Sequence, residues 1–122
     1  MRTILILSTL ALVGALAPLA TPVNAETTNA VAVFSNGYRD AQTGQPVTRV
    51  AAGETVTWTW ESGAHSVTAG VHAAAAPAAF DSGVLIPSSP EPTTFSVTFD
   101  EAGAFAYYCK LHPTMRGVVV VE

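Results

Sequence analysis

The chain predicts an all-β fold, a two-sheet sandwich of about seven to eight strands, on three observations. Short runs that alternate apolar with polar residues recur along it, each bounded by turn-forming residues. Nowhere does a long stretch show helical periodicity. The 97 residues that follow Ala25, out of 122, suit one domain with a modest core, so residues 26–122 are expected to fold as a single unit.

The opening segment is read separately from that domain. Met1-Arg2-Thr3 gives a short basic start, Ile4 to Ala20 an apolar middle of 17 residues, and Val23 and Ala25 small residues ahead of Glu26. This is the pattern of a secretory signal peptide over residues 1–25, cleaved after Ala25. A membrane anchor is the alternative, but an apolar run of this length interrupted by Gly14 and Pro18 is marginal for spanning a bilayer. The expectation is an exported protein, in the periplasm by preference, with no membrane span in its mature form.

The strands follow in order. Residues 30–35 alternate as a first strand that stops at the turn signal Asn36-Gly37. Residues 46–50 form a second. Gly53-Glu54 turns the chain into residues 55–60, where Val56, Trp58 and Trp60 share one face and three threonines the other, so the large apolar face should enter the core. Residues 71–92 carry no clear strand: Ala73 to Ala79 allow a single helical turn broken at Pro77, and residues 87–92 are rich in proline and serine. In residues 94–99 Phe95, Val97 and Phe99 alternate with polar partners. Residues 104–109 repeat this with Phe105 and Tyr107, which carries Cys109 onto the inward face and turns Tyr108 outward. Val118 to Val121 is a continuous β-branched run suited to a strand covered on both sides.

Charge excludes one class of partner. Nine acidic residues face four basic ones after residue 25 (Arg39, Arg49, Lys110 and Arg116), and nucleic acid requires a basic surface. The charges are scattered, as on an ordinary solvated surface.

Chemistry concentrates in Cys109-Lys110-Leu111-His112-Pro113-Thr114-Met115. A thiolate, an imidazole and a thioether this close together suit copper better than other common metals. Cys109 is the one cysteine of the chain, so it has no internal disulfide partner, and a lone thiol sent to an oxidising compartment needs burial or a metal to protect it. His65 supplies a fourth ligand from another strand, completing a His2CysMet set. Two residues between successive ligands let a tight loop turn three side chains toward one point. His72 has no partner at metal spacing and is read as an exposed loop residue.

These landmarks resemble those of the small cupredoxins, the blue copper proteins of plastocyanin and amicyanin type. The matching stretches are Val50 to Trp58, Ala64-His65-Ser66-Val67, Phe80-Asp81-Ser82-Gly83 and Phe99 to Cys109, spread along the domain ahead of the ligand loop. The loop His112-Pro113-Thr114-Met115-Arg116-Gly117 is most similar to the short amicyanin form. The resemblance implies a Greek-key sandwich, one type 1 copper ion held by His65, Cys109, His112 and Met115, and no enzymatic activity of its own. It implies a one-electron carrier, expected to be monomeric, that docks transiently with a redox donor and acceptor near His112, through an apolar patch of Ala64, Leu111 and Pro113. Tyr108 resembles the tyrosine beside the plastocyanin cysteine, as a second electron exit or as a plain surface aromatic. Ser66 stands where the family commonly has Asn. Its backbone N–H is still expected to reach the Cys109 sulfur, with the side-chain link either lost or taken over by the hydroxyl.

Three other readings compete. Catalytic copper chemistry needs further histidines, and the chain has three. A storage or delivery protein would favour exposed, exchangeable Met and His clusters. A purely structural sandwich would keep its purpose after Cys109→Ala.

Overall fold

The computed structural model describes residues 29–73 and 77–122. The expected signal segment at 1–25 and Ala74 to Ala76 of the alanine run lie outside the described residues. Eight strands form: β1 (Asn29–Phe34), β2 (Gly37–Asp40), β3 (Val47–Val50), β4 (Glu54–Trp60), β5 (Thr68–Ala69), β6 (Thr94–Phe99), β7 (Gly103–Tyr108) and β8 (Arg116–Val121). They build two four-stranded sheets, ordered β2-β1-β4-β6 and β3-β8-β7-β5. Two pairs, β1 with β4 and β3 with β8, run parallel, and the remaining pairs are antiparallel. From β2 to β7 every connection passes from one sheet to the other, which is how a sandwich of short strands closes on a single core.

Alternation decides which side chains fill that core. Val56, Trp58 and Trp60 on β4 are buried while the intervening threonines are half-covered; on the outer face Thr55 and Thr57 pair their hydroxyls with Thr98 and Ser96 of β6 at 2.7 Å. From β1 come Val31 and Val33, and from β8 Val119 and Val121. Each such valine stabilises the fold by about 2 kcal/mol through burial. Trp58 is the hub: its ring meets Tyr107 edge-on at 5.3 Å and stacks near Phe80 at 6.2 Å. Tyr38 meets the other side of Tyr107 at 4.7 Å.

Several expectations are corrected. The first strand ends ahead of Asn36-Gly37 as expected, but that turn, in which Asn36 takes a positive φ of 82°, also opens a further strand, so β1 and β2 form a hairpin. That strand, β2, and the two-residue β5 are too short to show periodicity. The β8 run is covered unequally: Val119 and Val121 are buried, Val118 and Val120 half-buried. Among the described residues no helix is long and apolar enough to cross a membrane.

Candidate metal centre

Three side chains, those of His65, Cys109 and His112, meet at one site, and they arrive by two different routes. His65 lies on the extended arm between β4 and β5. Its backbone is paired in both directions: the His65 N–H donates to the Leu85 carbonyl at 3.0 Å, and the Leu85 N–H returns to the His65 carbonyl at 2.9 Å. The Trp60 indole N–H donates to that same carbonyl at 2.9 Å, and the Tyr38 hydroxyl to the Ser66 carbonyl at 2.5 Å. Burial, helped by Cys109 and Tyr107, pushes the Tyr38 phenol far above its ordinary range, so it remains an O–H donor. The Val67 N–H donates to Ser82 Oγ at 2.8 Å. Gly63, at φ +77°, lies so close that a Cβ there would stand 2.5 Å from His65 Nε2. The ring is therefore wedged against a backbone that tolerates only glycine.

The second route is the loop leaving β7. Cys109 follows the buried face of Tyr107 and is itself fully buried. The Cys109 N–H donates to the Met115 carbonyl at 3.0 Å, and the Met115 N–H to the His112 carbonyl at 2.8 Å. These two bonds fold the loop back on itself, burying Met115 and leaving Leu111, His112 and Pro113 exposed. The Arg116 Nε–H braces the turn from outside on the Pro113 carbonyl at 3.1 Å.

The result is a converging donor set. Cys109 Sγ lies 3.8 Å from His65 Nδ1 and 3.6 Å from His112 Nδ1, and the three ligand atoms lie within 4.8 Å of one another. Bonds of about 2.0 Å to nitrogen and about 2.3 Å to sulfur span at most about 4.3 Å across a shared first-row ion, so both separations fit a bent arrangement. Burial and the nearby His112 lower the His65 pKa, against an opposing backbone bond at Ser62, and this favours the neutral imidazole that a metal requires. A thiol sulfur and two imidazoles are soft to intermediate donors, a set that copper prefers.

Around this set the structure places Ser66 as a bridge. Its backbone N–H donates to Cys109 Sγ at 3.4 Å. Its hydroxyl accepts from the Lys110 N–H at 2.9 Å, so the link between the His65 arm and the Cys109 loop is kept by a serine. Behind it Lys110 Nζ pairs with the Asp81 carboxylate. Burial works to raise the Asp81 pKa, but bonds from Lys110, the Gly83 N–H and the Thr68 hydroxyl outweigh it and hold the carboxyl below its usual range.

Of the residues singled out in the sequence, His65, Cys109 and His112 come together, Met115 is buried on the same loop, and His72 stays exposed. Tyr108 is corrected: it is 5% exposed, not a surface aromatic. Its ring lies beside Gly70 and lines a hollow with Ala69, Pro77 and Ala78. Sequence reasoning missed the supporting residues Tyr38, Trp60, Asp81 and Lys110. Trp60 carries a polar N–H on a ring read only as core, which was the one available signal for it. A depression lined by Ser35, Asn36, Gly63, Ala64, His65, Leu111 and His112 marks the outer edge of the site.

Comparison with known proteins agrees with this geometry. Residues 42–122 match the model of the copper-binding proteins of the plastocyanin/azurin family. The chain is 41% identical over 80 residues to amicyanin of Paracoccus denitrificans, covering 63% of this chain and 56% of that one. It is 36% identical over 77 residues to amicyanin-alpha of Methylorubrum extorquens, covering 63% and 61%. The chain thus spans less than two thirds of the length of these curated relatives. Among solved structures, the reduced Cu(I) form at pH 4 of a single-site amicyanin variant superposes with a TM-score of 0.59 at 34% identity, over 80% of this chain and 85% of that one. The oxidised form of another amicyanin variant gives 0.59 at 32%, over 83% and 88%.

Proposed function

Because the chain belongs to the plastocyanin/azurin family of copper-binding proteins, we propose that it carries single electrons between redox partners, with copper held by His65, Cys109, His112 and Met115. Copper at such a site supplies a one-electron couple between Cu(II) and Cu(I). The observation that carries the reading is the convergence of Cys109 Sγ with two imidazole Nδ1 atoms at 3.6 and 3.8 Å, inside a frame fixed by backbone hydrogen bonds. Cys109 would provide the thiolate, His65 and His112 the imidazoles, and Met115 a thioether. A frame that already holds three of the donors close together would limit rearrangement between the two oxidation states, which favours fast transfer.

His112 is the proposed gateway, since of the four side chains it alone is exposed. Leu111 at 52% exposure, Pro113 and the half-buried Ala64 surround it with apolar surface. A patch this small favours weak complexes that release quickly, as a shuttle between donor and acceptor requires. A monomer serves that purpose, and the acidic balance of the chain argues against nucleic acid as partner. The proposed location is the periplasm, after removal of residues 1–25, on the basic, apolar and small-residue pattern of that segment.

Copper storage or delivery is the competing reading, and burial of three of the four donors speaks against it, because an exchangeable site must be open. Voltammetry of the copper-loaded protein in the presence of a Cu(I) chelator separates the two. A carrier gives a reversible one-electron wave that survives repeated cycles. Loss of copper to the chelator on first reduction would favour delivery.

A further inference from the structure

Behind the donor set, four side chains close a ring of hydrogen bonds that no ligand belongs to. The Lys110 N–H donates to Ser66 Oγ at 2.9 Å, Ser66 Oγ meets Thr68 Oγ1 at 2.9 Å, and Thr68 Oγ1 reaches Asp81 Oδ1 at 3.1 Å. The circuit returns through the Lys110 side chain, whose Nζ lies on Asp81 Oδ2. Elementary bookkeeping fixes its direction. An ionised carboxylate only accepts, so the single hydroxyl proton of Thr68 is committed to Asp81. Thr68 Oγ1 is then left as acceptor, and the Ser66 hydroxyl must donate to it. Every donor in the relay therefore points toward Asp81, an arrangement in which each bond polarises the next.

Asp81 is itself held in place. Its Oδ1 also accepts from the Gly83 N–H at 2.9 Å, and the backbones of Thr68 and Asp81 form an isolated bridge. Ser66 and Thr68 are buried at 0% and 2% exposure, so a hydroxyl there that loses its partner has no water to replace it, and its orientation becomes undetermined.

The relay ends on both segments that carry the metal donors. Ser66 follows His65 and gives its backbone N–H to the Cys109 sulfur at 3.4 Å; Lys110 follows Cys109. Resting on the copper reading above, we infer that Asp81 is a positioning residue for the metal site, acting through the Thr68 and Ser66 hydroxyls to hold the Ser66 N–H against the Cys109 sulfur. Hydrogen bonding to a ligand sulfur withdraws electron density from it and disfavours the oxidised metal. Loosening the relay should lower the reduction potential.

The test compares wild type with Asp81→Ala, the near-isosteric Thr68→Val, the double variant and Asp81→Asn, which keeps an oxygen for Thr68 and Gly83. Asp81→Ala and Thr68→Val should each lower the reduction potential and weaken copper binding about tenfold. The double variant should go no further than the larger single change, because both cut the same relay, and Asp81→Asn should restore most of the potential. In the copper-free protein, hydrogen exchange at the Ser66 and Lys110 amides should accelerate in both single variants. Unmoved potentials and amide exchange alongside a lowered melting temperature would reduce Asp81 to a structural residue and overturn the inference, as would additive shifts in the double variant. A wild type that takes up no copper would instead overturn the copper reading itself, a failure visible before any variant is made.

Discussion

The two histidines of the site are the same residue type placed by opposite means. His65 is buried on an arm whose carbonyls are gripped by Trp60, Tyr38 and Leu85, whereas His112 stands exposed on a loop tied mainly to itself. Their ring centroids are 5.0 Å apart with planes at 51°, so the difference lies in their support and not in their position. One fixes geometry from the scaffold; the other gives that geometry a surface.

Breaking each in turn gives the largest expected effect. Replacing either histidine with glycine should abolish the blue colour of the Cu(II) protein. Added imidazole should restore it within mixing time in His112→Gly, because that position opens to solvent, and more slowly in His65→Gly, because His65 is buried. Equal rescue of both by absorbance would remove the distinction.

A smaller effect comes from loosening the arm alone. Tyr38→Phe deletes the bond to the Ser66 carbonyl in a buried setting and should cost about 1–3 kcal/mol in denaturant unfolding of the copper-free protein. Pro113→Ala, on the exposed loop, should change that stability by less than about 0.5 kcal/mol. If the two costs were alike, the arm would not be the rigid partner.

The smallest effect is a pH dependence at the junction between arm and loop. The Asp81 carboxyl is held low in the folded state, so its contribution to stability is fully present above the unfolded carboxyl pKa of about 3.9. It is lost as pH falls through the lower folded value. The stability advantage of wild type over Asp81→Asn should therefore be constant near neutrality and fade only below about pH 4. An advantage that persists unchanged into stronger acid would show that the Asp81 charge does not matter to the junction.

The same contrast explains what could be read in the sequence. The ligand loop is local: Cys109, His112 and Met115 lie within seven residues, and their spacing alone suggested a metal. The core face of β4 was legible in the alternation of Val56, Trp58 and Trp60, and the inward turn of Cys109 followed from counting along β7 from Phe105. What grips the arm was not legible, because its bonds join positions 28 apart for Tyr38 with Ser66 and 44 apart for Lys110 with Ser66. No local pattern records such pairings. Tyr108 failed for a related reason, since alternation correctly put it on the outer face but could not show that the segment after β5 covers that face. Strands β2 and β5 exist through pairing with β1 and β7 and carry too few residues to announce themselves.

The most direct test of the central claim is the visible spectrum of the Cu(II)-loaded protein, recorded before and after a mild reductant. A thiolate bound to Cu(II) beside two imidazoles predicts an intense band at about 600 nm that bleaches on reduction and returns on reoxidation, and that is absent in Cys109→Ala with the fold retained. A protein that binds copper yet stays colourless, or a band that survives loss of Cys109, would contradict the account.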